Sequence, residues 1–492
     1  MSALLLSFLL PSPVAHAEVI SCAQADDHLV IDATTELDPS CVYTGGIEIV
    51  ASGVTLDCRG ATIRDVDAEA GVPIGILVTT PADVALHDVA IRNCRIEGFL
   101  NGVRITRAGF RSLAPGEEYA AAPHDILVEA SEIRATRGAG VFVDAYVTRV
   151  TLRDLLVQGA GSSGIYLEAG SRDSAVFDNR VIGNGFGPAY DSGQHVDFLG
   201  SVGVWVWSTG REGISVDGSR GNRIAGNRLE GNAAGGIFLY KNCGEYARQQ
   251  AENWWERRYG ADDNVVEGNT VIGGPTGVWV GSRMAENTLA LDCSDPPYVA
   301  GPLLRVSLDR AQGNVIRDNA FHRVLYGVRV EDDQTVVEGN RFTGDDPASL
   351  AVVVGTRWRT ERLGEPVAGT VLASNRSEIV ANPAPYRWVY GQEGTVFTDN
   401  TALGRSAGFC QAPPIPSNPF LFVRAVVLHR AGDPPPAVSN PPAVPSLGVL
   451  EPCPAGESTS YPDGAQPTPS LTGSSHAQGA ASLPAVEPRL AG

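Results

Sequence analysis

Apolar and polar residues alternate with a short period along most of this chain, and one phrase recurs between Gly213 and Asn340. It consists of a glycine, an apolar residue, any residue and a second apolar residue, followed by a polar turn and a short apolar run that asparagine closes. The copies read GISV then IAGN, GIFL then VVEGN, GVWV then VIRDN, and GVRV then VVEGN. Alternation with a period of two predicts strands, and no helical period competes with it. A chain that repeats short strands every ~20 residues or more is expected to coil into a solenoid of stacked turns.

The closing asparagines indicate the register of the coils. They occupy the same place in successive copies, at Asn179, Asn227, Asn269, Asn319, Asn340, Asn375 and Asn400. Asparagine tolerates the left-handed turn conformation, and its amide can bond the equivalent amide one coil above or below. The spacing therefore predicts a buried asparagine ladder inside one corner of the solenoid.

The phrase resembles the repeat of right-handed parallel β-helix proteins of the pectin-lyase-like superfamily, over roughly residues 45–405. The resemblance implies an all-β fold: a single-stranded, right-handed parallel β-helix with an N-terminal cap and long loops on one face. That superfamily includes hydrolases, lyases, epimerases and non-catalytic proteins, so the fold does not select a function. No signature of pectate lyases, polygalacturonases or mannuronan epimerases is recognisable, and no catalytic residue can be carried over from them.

Composition divides the chain into four segments. We expect a signal peptide at 1–17, an N-terminal cap at 18–44, the β-helix at 45–431, and a flexible Pro-, Ser- and Ala-rich tail at 432–492. The signal combines the apolar run ALLLSFLL with a small-residue cleavage site, and that run is too short to span a bilayer. We therefore predict a secreted or periplasmic protein without a membrane span.

Cysteine content and charge bear on compartment and partners. Eight cysteines in an exported chain imply disulfides. Proximity along the chain predicts the pairs Cys22–Cys41, Cys58–Cys94, Cys243–Cys293 and Cys410–Cys453. A formal charge of −19 argues against nucleic acid as a partner. No cofactor is predicted, because the paired aspartates lack the ligand spacing of a calcium loop and only a weak indication of Ca²⁺ remains.

Stacking the copies places two columns of side chains on one outer face. The central position of the Gly-apolar-x-apolar strand gives Arg104, Phe142, Tyr166, Ser215, Phe238, Trp279 and Arg329. The residue leaving the strand gives Thr106, Asp144, Glu168, Asp217, Tyr240, Gly281 and Glu331. Adjacent coils lie ~4.8 Å apart, so members of a column are near neighbours.

Aromatic rings beside carboxylates suit a polysaccharide or oligosaccharide, because rings stack on sugars and carboxylates accept hydroxyl protons. The predicted substrate-binding residues are Tyr166, Phe238, Trp279, Tyr240, Arg211 and Arg329. The alternative is that the aromatics only stabilise the sheet by stacking across strands.

Carboxylates on consecutive coils are the first catalytic candidates: Asp144, Glu168, Asp217 and Glu331. Two acids at that spacing repel, which raises one pKa and produces a general acid beside an ionised partner. Glycoside hydrolysis needs such a pair. The alternative is that these are ordinary solvated charges.

A second constellation consists of Lys241, Tyr240 and Arg283. A polysaccharide lyase or C5-epimerase needs a cation that neutralises a uronate and a base for the C5 proton, which these residues could supply. The alternative is salt bridging to nearby acids. Glycoside hydrolase is thus the first function hypothesis, lyase or epimerase the second, and a non-catalytic carbohydrate-binding envelope protein the third.

Overall fold

The computed structural model describes residues 17–66, 73–187, 190, 194–197, 202–208, 210–241, 257–281, 299–300, 305–306, 310–413, 423–430 and 453. The chain divides into the units Met1–Thr459 and Ser460–Gly492, and all described residues belong to the first. The predicted signal peptide, apart from Ala17, and nearly all of the predicted tail lie outside the described residues. Within the described residues, no helix is long and apolar enough to cross a membrane.

Three sheets of 13 strands each form the molecule, and successive coils contribute one strand to each sheet. The first sheet contains Glu18–Ile20, Thr35–Leu37, Thr55–Asp57, His87–Arg92, His124–Glu129, Thr148–Arg153, Ala175–Phe177, Arg223–Ala225, Val265–Glu267, Val315–Arg317, Val336–Glu338, Val371–Ala373 and Val396–Thr398. The second contains Val42–Tyr43, Thr62–Arg64, Arg95–Glu97, Glu132–Arg134, Leu156–Gln158, Arg180–Ile182, Arg228–Glu230, Thr270–Ile272, Ala320–His322, Arg341–Gly344, Arg376–Ile379, Thr401–Ala402 and Arg405–Ser406.

The third sheet carries the Gly-apolar-x-apolar strands. It contains Leu29–Ile31, Ile47–Ile49, Ile74–Val78, Asn101–Ile105, Val141–Val143, Ile165–Leu167, Glu212–Asp217, Gly235–Tyr240, Thr276–Val280, Tyr326–Val330, Leu350–Val354, Tyr386–Trp388 and Cys410–Gln411. Neighbouring strands in all three sheets pair in parallel, except the antiparallel end pair Thr401–Ala402 and Arg405–Ser406. The predicted all-β parallel β-helix is confirmed.

Smaller elements accompany the coils. Gln194–Asp197, Val202–Ser208 and Val423–Arg430 form an antiparallel sheet, Val299–Ala300 pairs with Arg305–Val306, and Val367–Ala368 pairs with Gln392–Glu393. Two short 3₁₀ turns span Cys22–Gln24 and Phe110–Ser112, and a π-helical turn spans Trp358–Leu363. Residues 18–44 contribute the strands at one edge of all three sheets, and their role as an N-terminal cap stays a prediction.

The core is one continuous apolar column inside the coils. In the strand Val141–Val143, both valines are fully buried, whereas Phe142 between them points outward and is half-buried. The same alternation in successive coils places apolar side chains above one another. Burial of these stacked side chains is the main driving force for the fold.

The predicted asparagine ladder is confirmed. The Oδ1 atom of Asn269 accepts both the backbone N–H and the Nδ2–H of Asn227 at 2.9 Å. The same pair of bonds links Asn269 to Asn319, and the series continues to Asn400. One detail of the prediction is wrong: the left-handed residue is the one before each asparagine, for example Gly268 with a φ of 61°.

Three of the four predicted disulfides are confirmed: Cys22–Cys41, Cys58–Cys94 and Cys410–Cys453. The predicted Cys243–Cys293 bridge lies outside the described residues. Disulfides persist in oxidising compartments, so the three bridges agree with an exported protein.

The double substitution Cys58→Ala/Cys94→Ala is expected to lower the free energy of unfolding by ~4 kcal/mol, because the bridge closes a sequence separation of 36 residues. Both cysteines are buried, so the substitution also removes packed atoms from the core. Denaturant titration of the variant checks this. The matched control is Cys22→Ala/Cys41→Ala, whose separation of 19 residues predicts a smaller loss. An equal or larger loss in the control would contradict the loop-entropy argument.

Candidate functional site

Strand register in the third sheet aligns the predicted outward column. Arg104 pairs with Phe142, and the column continues through Tyr166, Ser215, Phe238, Trp279 and Arg329. The long segments around 108–123, 242–262, 284–312 and 357–368 follow strands of this sheet, and 185–212 precedes one. The third sheet therefore carries both the columns and the insertions.

Most of the column points away from the core and is nevertheless buried. Tyr166 is 7% exposed, Phe238 0% and Trp279 2%. A sugar ring cannot stack on fully buried faces, so in this structure the accessible part of the column is at Arg104 and Phe142, which are half-buried. The role of the buried aromatics in substrate binding stays a prediction.

The aromatic residues pack against one another from coil to coil. The rings of Phe142 and Tyr166 stack with their centroids 4.8 Å apart. Trp279 contacts Phe238 edge-on at 5.5 Å and stacks on Tyr240 at 5.7 Å. This is the stacking across strands that stabilises a parallel sheet.

Two of the predicted catalytic carboxylates are engaged in ion pairs within the columns. Asp144 accepts bonds from Arg104 Nε at 2.7 Å and Nη2 at 3.1 Å, and its side chain is 2% exposed. Glu331 accepts a bond from Arg329, another predicted substrate-binding residue, and both side chains are buried. In each pair the guanidinium compensates the charge of the buried carboxylate.

Glu168 is a predicted catalytic carboxylate with a raised pKa. Burial raises the pKa of Glu168 to about 7, Arg257 opposes the rise, and Asp217 and Asp144 add to it. Arg257 Nη2 lies 3.6 Å from Glu168 Oε1, and the backbone N–H of Ala169 donates to the same oxygen at 3.1 Å. A carboxyl group with a pKa near 7 can act as a general acid at neutral pH.

Asp217 lies on the coil next to Glu168 and is fully buried. The hydroxyl of Tyr166 donates a hydrogen bond to Asp217 Oδ2. Burial raises the pKa of Tyr166 well above its usual value, with the Asp217 charge adding to the effect. Tyr166 therefore remains a proton donor to Asp217.

The second predicted constellation is only partly described. Lys241 is 3% exposed at the end of the strand that carries Tyr240. Arg211 Nη2 donates to the Tyr240 hydroxyl at 2.7 Å, and that hydroxyl donates to Glu212 Oε1 at 3.0 Å. Arg283 lies outside the described residues.

Sequence reasoning missed Glu212 because it assumed strict alternation through the repeat's glycine. A Cβ atom at Gly213 would lie 2.9 Å from Leu229 Cδ2, so this glycine faces the core. The next residue, Ile214, faces the core as well, and Glu212 is therefore turned to the outer face. The same inward glycine occurs at Gly102 and Gly164, which makes the residue before the glycine a third outward column.

Arg257 was also missed, because it belongs to an insertion without a repeat pattern. Its neighbours hold it in place: Arg258 Nη1 donates to Glu118 Oε1 at 2.6 Å, and Tyr259 lies 6.0 Å from Tyr119. The insertion around 108–123 thus contacts residues 257–260 and positions the guanidinium beside Glu168. No short-range signal in the sequence could have shown this contact.

An open cleft of about 380 Å³ borders the accessible end of the column. It is lined by Ile74, Leu77, Arg104, Thr106 and residues 107–112. Arg104 links this cleft to Asp144, one coil before Glu168. The cleft therefore lies beside the ion pair of Arg104 and Asp144.

The weak prediction of a calcium site was based on paired aspartates. Two of these pairs accept hydrogen bonds from other groups of the protein. Asp332 and Asp333 bond Arg359 at 2.8 Å each, and Asp262 accepts the backbone N–H of Gln312 at 2.8 Å. Among the described residues, the one group of three potential metal ligands is Cys22, Asp38 and Cys41. Its cysteines form a disulfide, which removes them as ligands.

The contribution of Glu168 to the free energy of unfolding should decrease as the pH rises from about 4.5 to about 7. The pKa of Glu168 is raised from 4.5 to about 7, so the folded state binds this proton more tightly than the unfolded state. Its stabilising contribution is complete below pH 4.5 and is lost as the pH rises through 7. Burial also raises the pKa of Asp332, from 3.8 to about 6, which adds a loss of the same sign.

Denaturant titrations at pH 4.5 and pH 7 check this linkage. The side chain of Glu168→Gln is neutral at both pH values. The difference in the free energy of unfolding between the two pH values should therefore be smaller in this variant than in the wild type. Glu338→Gln, an exposed glutamate of the first sheet, is the matched control and should keep the wild-type difference. A Glu168→Gln variant with the full wild-type slope would contradict the raised pKa.

The solved structures similar to this chain share little sequence identity with it. No protein-family model and no curated protein matches this sequence. The mannuronan C-5 epimerase A-module of Azotobacter vinelandii is a similar solved structure, with 12% identity over 80% of this chain and 92% of its own, at a TM-score of 0.39. A variant catalytic domain of a GH87 alpha-1,3-glucanase in complex with nigerose has 12% identity over 78% of this chain and 63% of its own, at 0.42. An alginate lyase from a Paenibacillus strain has 12% identity over 80% and 98%, at 0.33.

Proposed function

We propose that the protein is an exported carbohydrate-active enzyme that hydrolyses glycosidic bonds of a polysaccharide or oligosaccharide on the outer face of the third sheet. The observation that carries the proposal is the pair formed by Glu168 and Asp217 on consecutive coils. Burial raises the pKa of Glu168 to about 7, whereas Asp217 accepts the Tyr166 hydroxyl. Two carboxyl groups in contrasting environments are what glycoside hydrolysis requires.

In this proposal Glu168 protonates the glycosidic oxygen as the bond breaks. Asp217 is the ionised partner, which either attacks the anomeric carbon or activates a water molecule. Arg257, 3.6 Å from Glu168, stabilises the glutamate once it has released its proton. The cleft beside Arg104 admits the sugar chain, and Phe142 offers it a half-buried ring.

A panel of glycans incubated with the purified protein tests the proposal, with products identified by mass spectrometry. New reducing ends that carry one added water per cleavage are expected, and Glu168→Gln should form them far more slowly. Sugar binding without any turnover would overturn the enzyme assignment and support a carbohydrate-binding envelope protein.

A lyase or C5-epimerase is the second candidate, because Arg211 bonds the Tyr240 hydroxyl at 2.7 Å beside the buried Lys241. A tyrosine beside a guanidinium suits proton abstraction next to a carboxylate. Unsaturated uronyl products, detected by their ultraviolet absorbance and by a mass lower by one water, would favour this candidate over hydrolysis. Epimerisation would change the sugar configuration without cleaving the chain.

A further inference from the structure

Glu212 is a fully buried glutamate whose two oxygens have different surroundings. Its side chain is 0% exposed. Oε1 accepts the hydroxyls of Ser215 and, at 3.0 Å, Tyr240, and it lies 3.3 Å from Arg211 Nη2. Oε2 is buried and has no hydrogen-bond partner.

Both oxygens of a buried carboxylate normally accept hydrogen bonds, because a buried oxygen without a donor loses its hydration without compensation. Here all donors approach the same oxygen. A further contact, from Ser163 Oγ at 3.4 Å, is also to Oε1. The donors therefore fix the carboxylate so that Oε2 is the acceptor left for another molecule.

The fold gives Glu212 its place on the outer face. Because Gly213 faces the core, the glutamate projects onto the same surface as Ser215 and Asp217. Asp217 ends the strand that Glu212 begins. The unpartnered oxygen consequently belongs to the surface that carries the proposed catalytic pair.

We infer that Glu212 is a substrate-binding residue of this site and that its Oε2 atom accepts a hydrogen bond from a sugar hydroxyl. The inference rests on the proposed function and deepens it by naming the group that is recognised. It assigns to Glu212 binding and specificity, whereas Glu168 and Asp217 perform the chemistry.

The neighbours of Glu212 favour a hydroxyl over a charged group. Arg211 lies 3.3 Å from the carboxylate and would repel an ammonium group. The charge of Glu212 would repel a carboxylate or sulfate. A hydroxyl donates one proton to Oε2, and its own oxygen can accept a bond from a nearby donor.

The site lies close beneath the surface. Arg211, in contact with Glu212, keeps 23% of its side chain exposed. Tyr166 and Glu168 on the preceding coil retain 7% and 8% exposure. The side chains around Glu212 therefore reach the surface of the described part of the molecule.

Steady-state kinetics of Glu212→Gln on the best glycan from the panel, together with its melting temperature, test the inference. Loss of a charged acceptor for a hydroxyl is expected to raise KM about 10- to 100-fold. We expect kcat to fall less than about tenfold, because the chemistry stays with Glu168 and Asp217. Glu212→Asp, which withdraws the carboxylate by one methylene, should raise KM likewise and serves if the glutamine variant does not fold. Glu338→Gln on the first sheet is the matched control and should keep the wild-type KM.

Each other outcome is decisive. A lower melting temperature with an unchanged KM means that Glu212 is structural and overturns the inference, while the proposed function stands. A fall confined to kcat places Glu212 in the chemical step and overturns the binding assignment. A wild-type protein that converts no glycan overturns the proposed function and this inference together.

Discussion

Replacing Glu168 by glutamine is expected to lower kcat about 10²- to 10⁴-fold, because the general acid can no longer supply a proton. KM should change little, since glutamine keeps the shape and the hydrogen-bonding capacity of the side chain. The wild-type rate should also fall as the pH rises through about 7, where Glu168 loses its proton. Rates measured from pH 5 to pH 9 on the glycan found in the panel check both expectations, at about one-unit steps.

Two further variants separate hydrolysis from elimination. Asp217→Asn keeps the contact with Tyr166 but removes the anion. If the protein is a hydrolase, kcat of this variant should again fall about 10²- to 10⁴-fold. Lys241→Ala should then cost only about tenfold, the effect of one lost contact. If the protein is a lyase, Lys241→Ala should lose more activity than Asp217→Asn. If neither carboxylate variant loses more than about tenfold, the assignment of catalysis to this pair is wrong.

Replacing Asn269 by leucine is expected to destabilise the protein by ~3–6 kcal/mol, a large part of the stability of an ordinary domain. Asn269 accepts two bonds from Asn227 and donates one to Ile224 O at 2.8 Å. Leucine leaves these buried groups without partners, and each costs ~1–3 kcal/mol. Leucine adds no compensating burial, because the position is already packed within the ladder.

Denaturant titration measures the effect, with Thr270→Val as the control. Thr270 is half-buried, and the valine substitution keeps the branched shape of the adjacent side chain while leaving the ladder intact. The control should stay within about 1 kcal/mol of the wild type. A loss below about 1 kcal/mol for Asn269→Leu would show that the ladder contributes register but little stability.

The repeat could be recognised in the sequence because it depends on residues that lie close together along the chain. Inward apolar residues must recur at every coil, and the corner asparagines must recur to satisfy buried backbone groups. The aligned positions of Arg104, Phe142, Tyr166 and Ser215 follow from this periodicity alone, and the strand register agrees with them. The Glu168 and Asp217 pair was predicted in the same way.

The sequence could not predict that the site is buried, because its burial depends on insertions that do not repeat. Nothing local shows that Phe238 and Trp279 point outward and are still covered. Arg257 reaches Glu168 because segments that are distant in the sequence contact each other. The strand Val423–Arg430 pairs with Val202–Ser208, although many coils of the β-helix lie between them in the sequence. These are long-range contacts, which no short window of sequence can contain.

The sequence by itself determined the solenoid, its register, three disulfides and the face that carries the acids, since each depends on spacing along the chain. Only the tertiary structure decided which of those acids has a raised pKa and which accepts hydrogen bonds from an arginine of the outward column. It also decided that the inward Gly213 turns Glu212 outward. The physical reason is that a pKa and a free acceptor depend on what surrounds a side chain in three dimensions, whereas periodicity records only the direction in which it points.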